Sequence, residues 1–144
     1  MTPDAQIAAV SASDGATRRT RTTRVAIATA HAGVRGALRT LVDLEPGLQI
    51  VATVGDDRGA ARCLLQHHPD VLLLALPGAL RDGGAPVRSL RLLSPQTAVV
   101  VLGTTATDPY RSVARAAGAA ALVALDGPSD ALLDAVRVAA TPPQ

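Results

Sequence analysis

The sequence predicts an α/β domain: a five-stranded parallel sheet in the order 2-1-3-4-5, with helices on both faces. Three observations carry this. Five short runs, RVAIAT (24–29), LQIVATV (48–54), VLLLAL (71–76), TAVVVL (97–102) and AALVAL (120–125), are apolar almost throughout, the mark of parallel strands covered on both sides. The segments between them place apolar residues at helical spacing. Right-handed crossovers between parallel strands then leave few topologies.

The elements follow in order. After the first strand, AGVRGALRTLVDL (32–44) sets Val34, Leu38, Leu41 and Leu44 on one helical stripe, and Pro46-Gly47 stops it. After the second strand, Asp56 or Asp57 caps a helix running to about His67 that is expected to bury Ala61, Leu64 and Leu65. The third strand leads into a Gly-rich loop and a short helix over 86–93. After the fourth strand, Asp108-Pro109 reads as an N-cap with proline at the first helical position, and Gly118 as a left-handed C-cap. Pro128 opens the last helix, with Leu132, Leu133, Val136 and Ala139 inward. The flavodoxin-like order binds its ligands beyond the carboxyl ends of the strands.

Composition removes several classes of function. The chain has 144 residues, room for one ordinary domain with a real core. Its apolar runs are far shorter than the roughly 20 residues of a membrane span, and no secretory signal pattern opens it; a cytoplasmic location is expected. A single cysteine, Cys63, excludes an internal disulfide or a multi-cysteine metal site. All 14 basic residues are Arg, which excludes Schiff-base chemistry and a phosphate-loop lysine. Tyr110 is the one aromatic residue, so no stacking platform for single-stranded nucleic acid can form.

The net charge of +2 lies wholly at the front. Residues 1–24 carry Arg18, Arg19, Arg21 and Arg24 against Asp4 and Asp14, and the remainder is balanced. Residues 1–22 therefore read as a disordered, Arg-rich leader, 23–140 as the folded domain, and 141–144 as a tail or the start of a linker. The neutral domain offers no nucleic-acid surface.

In this layout, "RTLVDLEPGLQIVATVGDD", "HHPDVLLL" and "RAAGAAALVALDGPSDALLDAVRVAA" resemble the receiver domains of bacterial response regulators, particularly the LuxR/NarL-type subfamily, over residues 24 to 140. The resemblance implies a CheY-like fold and a phosphorylation pocket at the strand ends. There an acidic pair holds Mg²⁺, an Asp closing the third strand attacks a phosphoryl group, and a Ser or Thr and a Lys bind the phosphoryl oxygens. Those positions fall here on Thr29 and Ala30, Ala75, Gly103 (with Thr104 adjacent) and Leu125; the responsive aromatic falls on Leu122. Each charged element is replaced by a neutral side chain.

No other carboxylate takes over. Asp70 lies five residues before Ala75, roughly 16 Å along a strand at about 3.3 Å per residue, at the wrong end of the sheet. Asp82, Asp108 and Asp126 sit on loops at the right end, but none leaves a strand terminus and none has an adjacent acidic partner. Losing anions and cation together avoids an unpaired buried charge, which fits a pocket settled into a non-catalytic role. Cys63 with His67 and His68 lacks further zinc ligands. Gly33-x-x-Gly36 is no dinucleotide fingerprint. His31 follows the first strand, where the subfamily often has a histidine.

The expectation is a pseudo-receiver: a phosphorylation-independent signalling and transcription-regulatory interaction module, not an enzyme, with no cofactor and no metal. Two other classes are weighed, a small-molecule sensor using the emptied apolar pocket and a small α/β nucleotide-binding enzyme. A homodimer or partner protein is expected on the side of the fourth helix, fifth strand and last helix, with Arg111 and Arg115 facing acids such as Asp130 or Asp134 of a second copy. DNA would be contacted only through a separate helix-turn-helix domain not present in this chain.

Overall fold

A computed structural model describes residues 22–104 and 106–141. The leader expected over 1–22 and the tail over 141–144 lie, apart from Thr22 and Thr141, outside the described residues. The chain alternates strictly: β1 (Thr23–Thr29), α1 (Ala32–Asp43), β2 (Leu48–Val54), α2 (Asp57–His67), β3 (Val71–Ala75), α3 (Arg81–Leu93), β4 (Ala98–Gly103), α4 (Asp108–Ala116), β5 (Ala121–Ala124) and α5 (Ser129–Ala140). All strand pairs are parallel and the order is β2-β1-β3-β4-β5, as the sequence predicts.

The near-continuous apolarity of the strands has a direct cause. Successive side chains leave opposite faces of a strand, and both faces here are covered. Ala26, Ala28, Leu72, Leu74, Val99, Val101 and Leu122 point into a core with Ala60 and Leu64 of α2, Val87 and Leu90 of α3, and Ala114 of α4. Val25, Ile27, Val71, Leu73, Val100, Leu102 and Val123 face the other way, onto Leu38 and Val42 of α1 and Leu132 and Val136 of α5. Val51 is an extra residue in β2, where the register with β1 shifts between Val25 and Ala26.

Several expectations are corrected by one residue of rotation. In α1, Val42 is fully buried and Leu44, at the C-cap, is 77% exposed. In α2, Ala60, Cys63 and Leu64 are the buried residues; Ala61 is half-buried and Leu65 is 55% exposed. A helical stripe of leucines can rotate by one position without losing its period, and contact with the sheet decides which edge goes in. Thr107, in extended conformation, is the N-cap of α4, so Asp108 is already inside the helix. The remaining caps follow the chemistry: the Asp56 carboxylate accepts the Gly59 N–H at 2.7 Å, Pro128 precedes α5, and Gly118 adopts φ +103° just past α4.

The amino-terminal edge of the sheet is stitched by polar groups. Asp70 donates its N–H to the Arg24 carbonyl at 2.8 Å and accepts the Arg24 N–H on Oδ2 at 2.8 Å. Its own carbonyl accepts from Ala98 at 3.0 Å, so one residue joins the starts of β1, β3 and β4. The buried Thr97 hydroxyl donates to the Pro69 carbonyl at 2.8 Å and shares a hydrogen bond with Ser94, leaving neither buried hydroxyl unmatched. These bonds fix the end of the sheet opposite the strand termini where ligands bind.

Candidate functional site

The carboxyl ends of β1, β3, β4 and β5 converge on one cleft of about 800 Å³. The sheet itself places its floor. Thr29 and Ala75 are register partners across β1 and β3, and the Leu125 N–H donates to the Gly103 carbonyl at 2.9 Å, closing β5 against β4. All six residues expected at a vacated phosphorylation pocket, Thr29, Ala30, Ala75, Gly103, Thr104 and Leu125, line this cleft, as do Leu122 and His31.

Each has a distinct setting. Thr29 is buried at 1% exposure, and its Oγ1 accepts the His31 N–H at 3.2 Å, which turns the chain out of β1 into α1. Ala75 is half-buried at the end of β3, and Leu125 stands at the rim, 37% exposed. His31 is the N-cap of α1 without a side-chain capping bond.

The loop after β3 forms one wall, and sequence reasoning missed its contribution. Gly78 takes φ +78°, and its carbonyl accepts the Arg81 N–H at 3.0 Å. That tight turn brings Leu76, Leu80 and Arg81 to the cleft. Beyond it, Asp82, Gly83 and Gly84 run through three successive left-handed conformations before regular helix resumes. Arg88 clips this segment by donating to the Gly83 carbonyl at 2.7 Å and the Asp82 carbonyl at 3.4 Å. The Pro77-Gly78 pair was the available signal for the turn. Tyr110, on the first turn of α4, also lines the cleft, and nothing in its spacing points there.

The electrostatics follow from the lining. Among the described residues no carboxylate faces the cleft, and Arg81 is its one formally charged residue. Asp82, Asp108 and Asp126 stay outside it. Asp70 sits at the far edge of the sheet. The Mg²⁺ that the receiver resemblance implies does not fit the described lining: these residues offer no acidic oxygen, the Thr29 hydroxyl is engaged with His31, and Ala30 has no side-chain donor. Among the described residues no group of three His, Cys, Asp or Glu is placed to hold a metal ion. Cys63 faces the core, where burial pushes its thiol up from the ordinary range against a weaker opposing pull from Arg24.

The expected partner residues lie elsewhere. Arg111 and Arg115 are exposed on α4, and Asp130 and Asp134 are exposed on α5. Arg111 is partly committed within the chain, because its Nε donates to the Ala106 carbonyl at 2.7 Å and braces the β4–α4 loop.

A comparison of this structure with solved ones finds a two-component response regulator of the LuxR family from Aurantimonas sp. SI85-9A1, with a TM-score of 0.73, 23% identity, and coverage of 83% of this chain and 85% of that one. The fold is the CheY-like receiver fold. By sequence, the chain is 35% identical over 106 residues to protein-glutamate methylesterase/protein-glutamine glutaminase 1 of Cupriavidus pinatubonensis, covering 69% of this chain and 30% of that protein. It is 29% identical over 115 residues to the oxygen regulatory protein NreC of Staphylococcus epidermidis, covering 79% of this chain and 53% of NreC. The chain thus spans only about a fifth to about a half of the length of the curated relatives it matches. No protein-family model matches the chain. Among the described residues, no helix is long and apolar enough to cross a membrane.

Proposed function

We propose that this receiver-type domain is a regulatory interaction module of response-regulator signalling that works without phosphoryl transfer. One observation carries the reading: the cleft at the strand ends is intact as a space, yet among the described residues no carboxylate lines it. Phosphoryl transfer to a receiver depends on a carboxylate nucleophile and on a metal that neutralises charge, and Ala75, Thr29 and Ala30 supply neither. Control of transcription would pass through a helix-turn-helix domain distinct from this receiver-like region.

Incubation with acetyl phosphate and Mg²⁺ followed by intact-mass measurement tests this. The expected result is an unchanged mass. A stoichiometric phosphoryl adduct that disappears in Asp82→Asn or Asp126→Asn would overturn the reading.

The output is assigned to the exposed face of α4, β5 and α5. Arg111 and Arg115 on one copy and Asp130 and Asp134 on another are complementary in charge and accessible. A homodimer formed there would not respond to phosphodonors.

A further inference from the structure

We propose that the cleft binds a small, largely apolar organic anion, with its acidic group paired to Arg81 and its body lying over Ala75, Leu122 and Leu125. This rests on the reading that the cleft is free of phosphoryl chemistry, because a metal-bound phosphoryl group would occupy the same space. Size is the first support. About 800 Å³ falls within the roughly 300–1,000 Å³ typical of small-molecule sites. The lining is the second, since its walls are mostly aliphatic; of its hydroxyls, that of Thr29 on the floor is bonded to the His31 N–H, and those of Thr104 and Tyr110 sit on its loop and helix margins.

Charge decides the class of ligand. Among the described residues, Arg81 is the one formal charge in the lining, and its guanidinium has neither an ion-pair nor a hydrogen-bond partner there. The guanidinium lies against Gly78: a Cβ there would come within 2.9 Å of Arg81 Nη1 and displace it. An arginine fork beside apolar walls matches a carboxylate or sulfonate joined to a hydrocarbon or aromatic body. A cationic ligand would meet repulsion and no counter-charge.

The space also continues. A second pocket of about 180 Å³, between α1 and the start of α5, shares Val34, Leu102 and Leu125 with the first. Leu125 therefore divides two apolar spaces, and an elongated ligand body can extend past it. The residue at the position implied for a phosphate-binding lysine becomes a hydrophobic partition.

Two probes of matched shape test this on the whole chain: anilinonaphthalene sulfonate, and the neutral N-phenylnaphthylamine, which lacks the sulfonate. Calorimetric titration should show saturable binding of one sulfonate probe per chain. Arg81→Gln should weaken that probe about tenfold or more while leaving the neutral probe within about twofold. Ala75→Phe should weaken both, and Leu125→Glu at the exposed rim serves as a second blocking variant should Ala75→Phe fail to fold. Absence of saturable binding, binding indifferent to both blocking variants, or sulfonate affinity unchanged in Arg81→Gln would each overturn the proposal. A phosphoryl adduct in the mass measurement would instead overturn the functional reading beneath it, so the two failures are distinguishable.

Discussion

Thr29 and Ala75 face each other across the β1–β3 seam, the first fully buried with its hydroxyl bonded to the next turn, the second half-buried with only a methyl. At the centre of the cleft floor, therefore, the polar partner is already satisfied and its neighbour asks for nothing. Ala75→Asp places a carboxylate on this largely apolar floor without the metal and lysine that a receiver pocket supplies, and is expected to lower stability by about 1–3 kcal/mol. Ala75→Val only fills space and should change stability by less than about 1 kcal/mol in either direction. Thermal melts followed by circular dichroism distinguish these outcomes; an Asp variant as stable as the parent would mean that the floor is polar and wet.

Among the described glycines, Gly84 has the closest neighbour to a would-be Cβ. A Cβ there would lie 2.5 Å from the Ala117 Cβ, at a φ of +85°. Gly84→Ala is expected to cost roughly 1–3 kcal/mol or more, through a clash and through backbone strain together. Adding Ala117→Gly removes the clash and leaves the strain, so urea unfolding of the pair should recover only part of the loss.

Arg115 and Asp134 are the cleaner pair for testing association, because Arg111 also braces its own loop. Arg115→Glu or Asp134→Arg alone should weaken a homodimer in sedimentation equilibrium, and the double reversal should restore it. Phosphodonors should leave all four measurements unchanged.

Cys63 gives the fold a pH signature. Burial raises its thiol pKa in the native state from an ordinary value of 9.0, with Arg24 opposing more weakly. A thiol whose native pKa exceeds its unfolded one contributes stability that is complete below the ordinary value and is lost as pH rises past it toward the native value. Stability measured by urea unfolding should therefore fall above about pH 9, and less steeply in Cys63→Ala. Native protein should resist Ellman's reagent until it unfolds.

The strands, their order and the residues at the cleft floor were legible because each depends on a short-range signal. Continuous apolar runs mark buried parallel strands, and Thr29, Ala75, Gly103 and Leu125 stand at their ends by sequence position alone. Leu44 and Leu65 misled because a 3.6-residue period specifies a stripe but not its rotation against the sheet, and the buried Val42 and Cys63 each lie two positions earlier. Arg81 and Tyr110 were beyond sequence reasoning for a different reason. Their place in the cleft depends on the direction a loop takes after Gly78 and on the seating of α4, which spacing does not encode. Asp70 was rightly assigned to the far edge, but its bonds to Arg24 and Ala98 show that it holds three strands together.

The seating of α4 has a consequence for motion. Its one fully buried residue is Ala114, with Ala117 following at the C-cap, whereas α1, α2, α3 and α5 each bury at least one leucine or valine. An alanine methyl contributes about 0.8 kcal/mol on burial against roughly 1.5–3 kcal/mol for a leucine or valine, so α4 has the least to lose by detaching. Its amides should exchange with deuterium through local opening well before those of β3 or α5. Tyr110 travels with that helix, which makes one wall of the cleft a fast-breathing foldon set on a slow floor. Entry to the space would then be governed by how often α4 lifts, a rate, and not by the width of the mouth at rest.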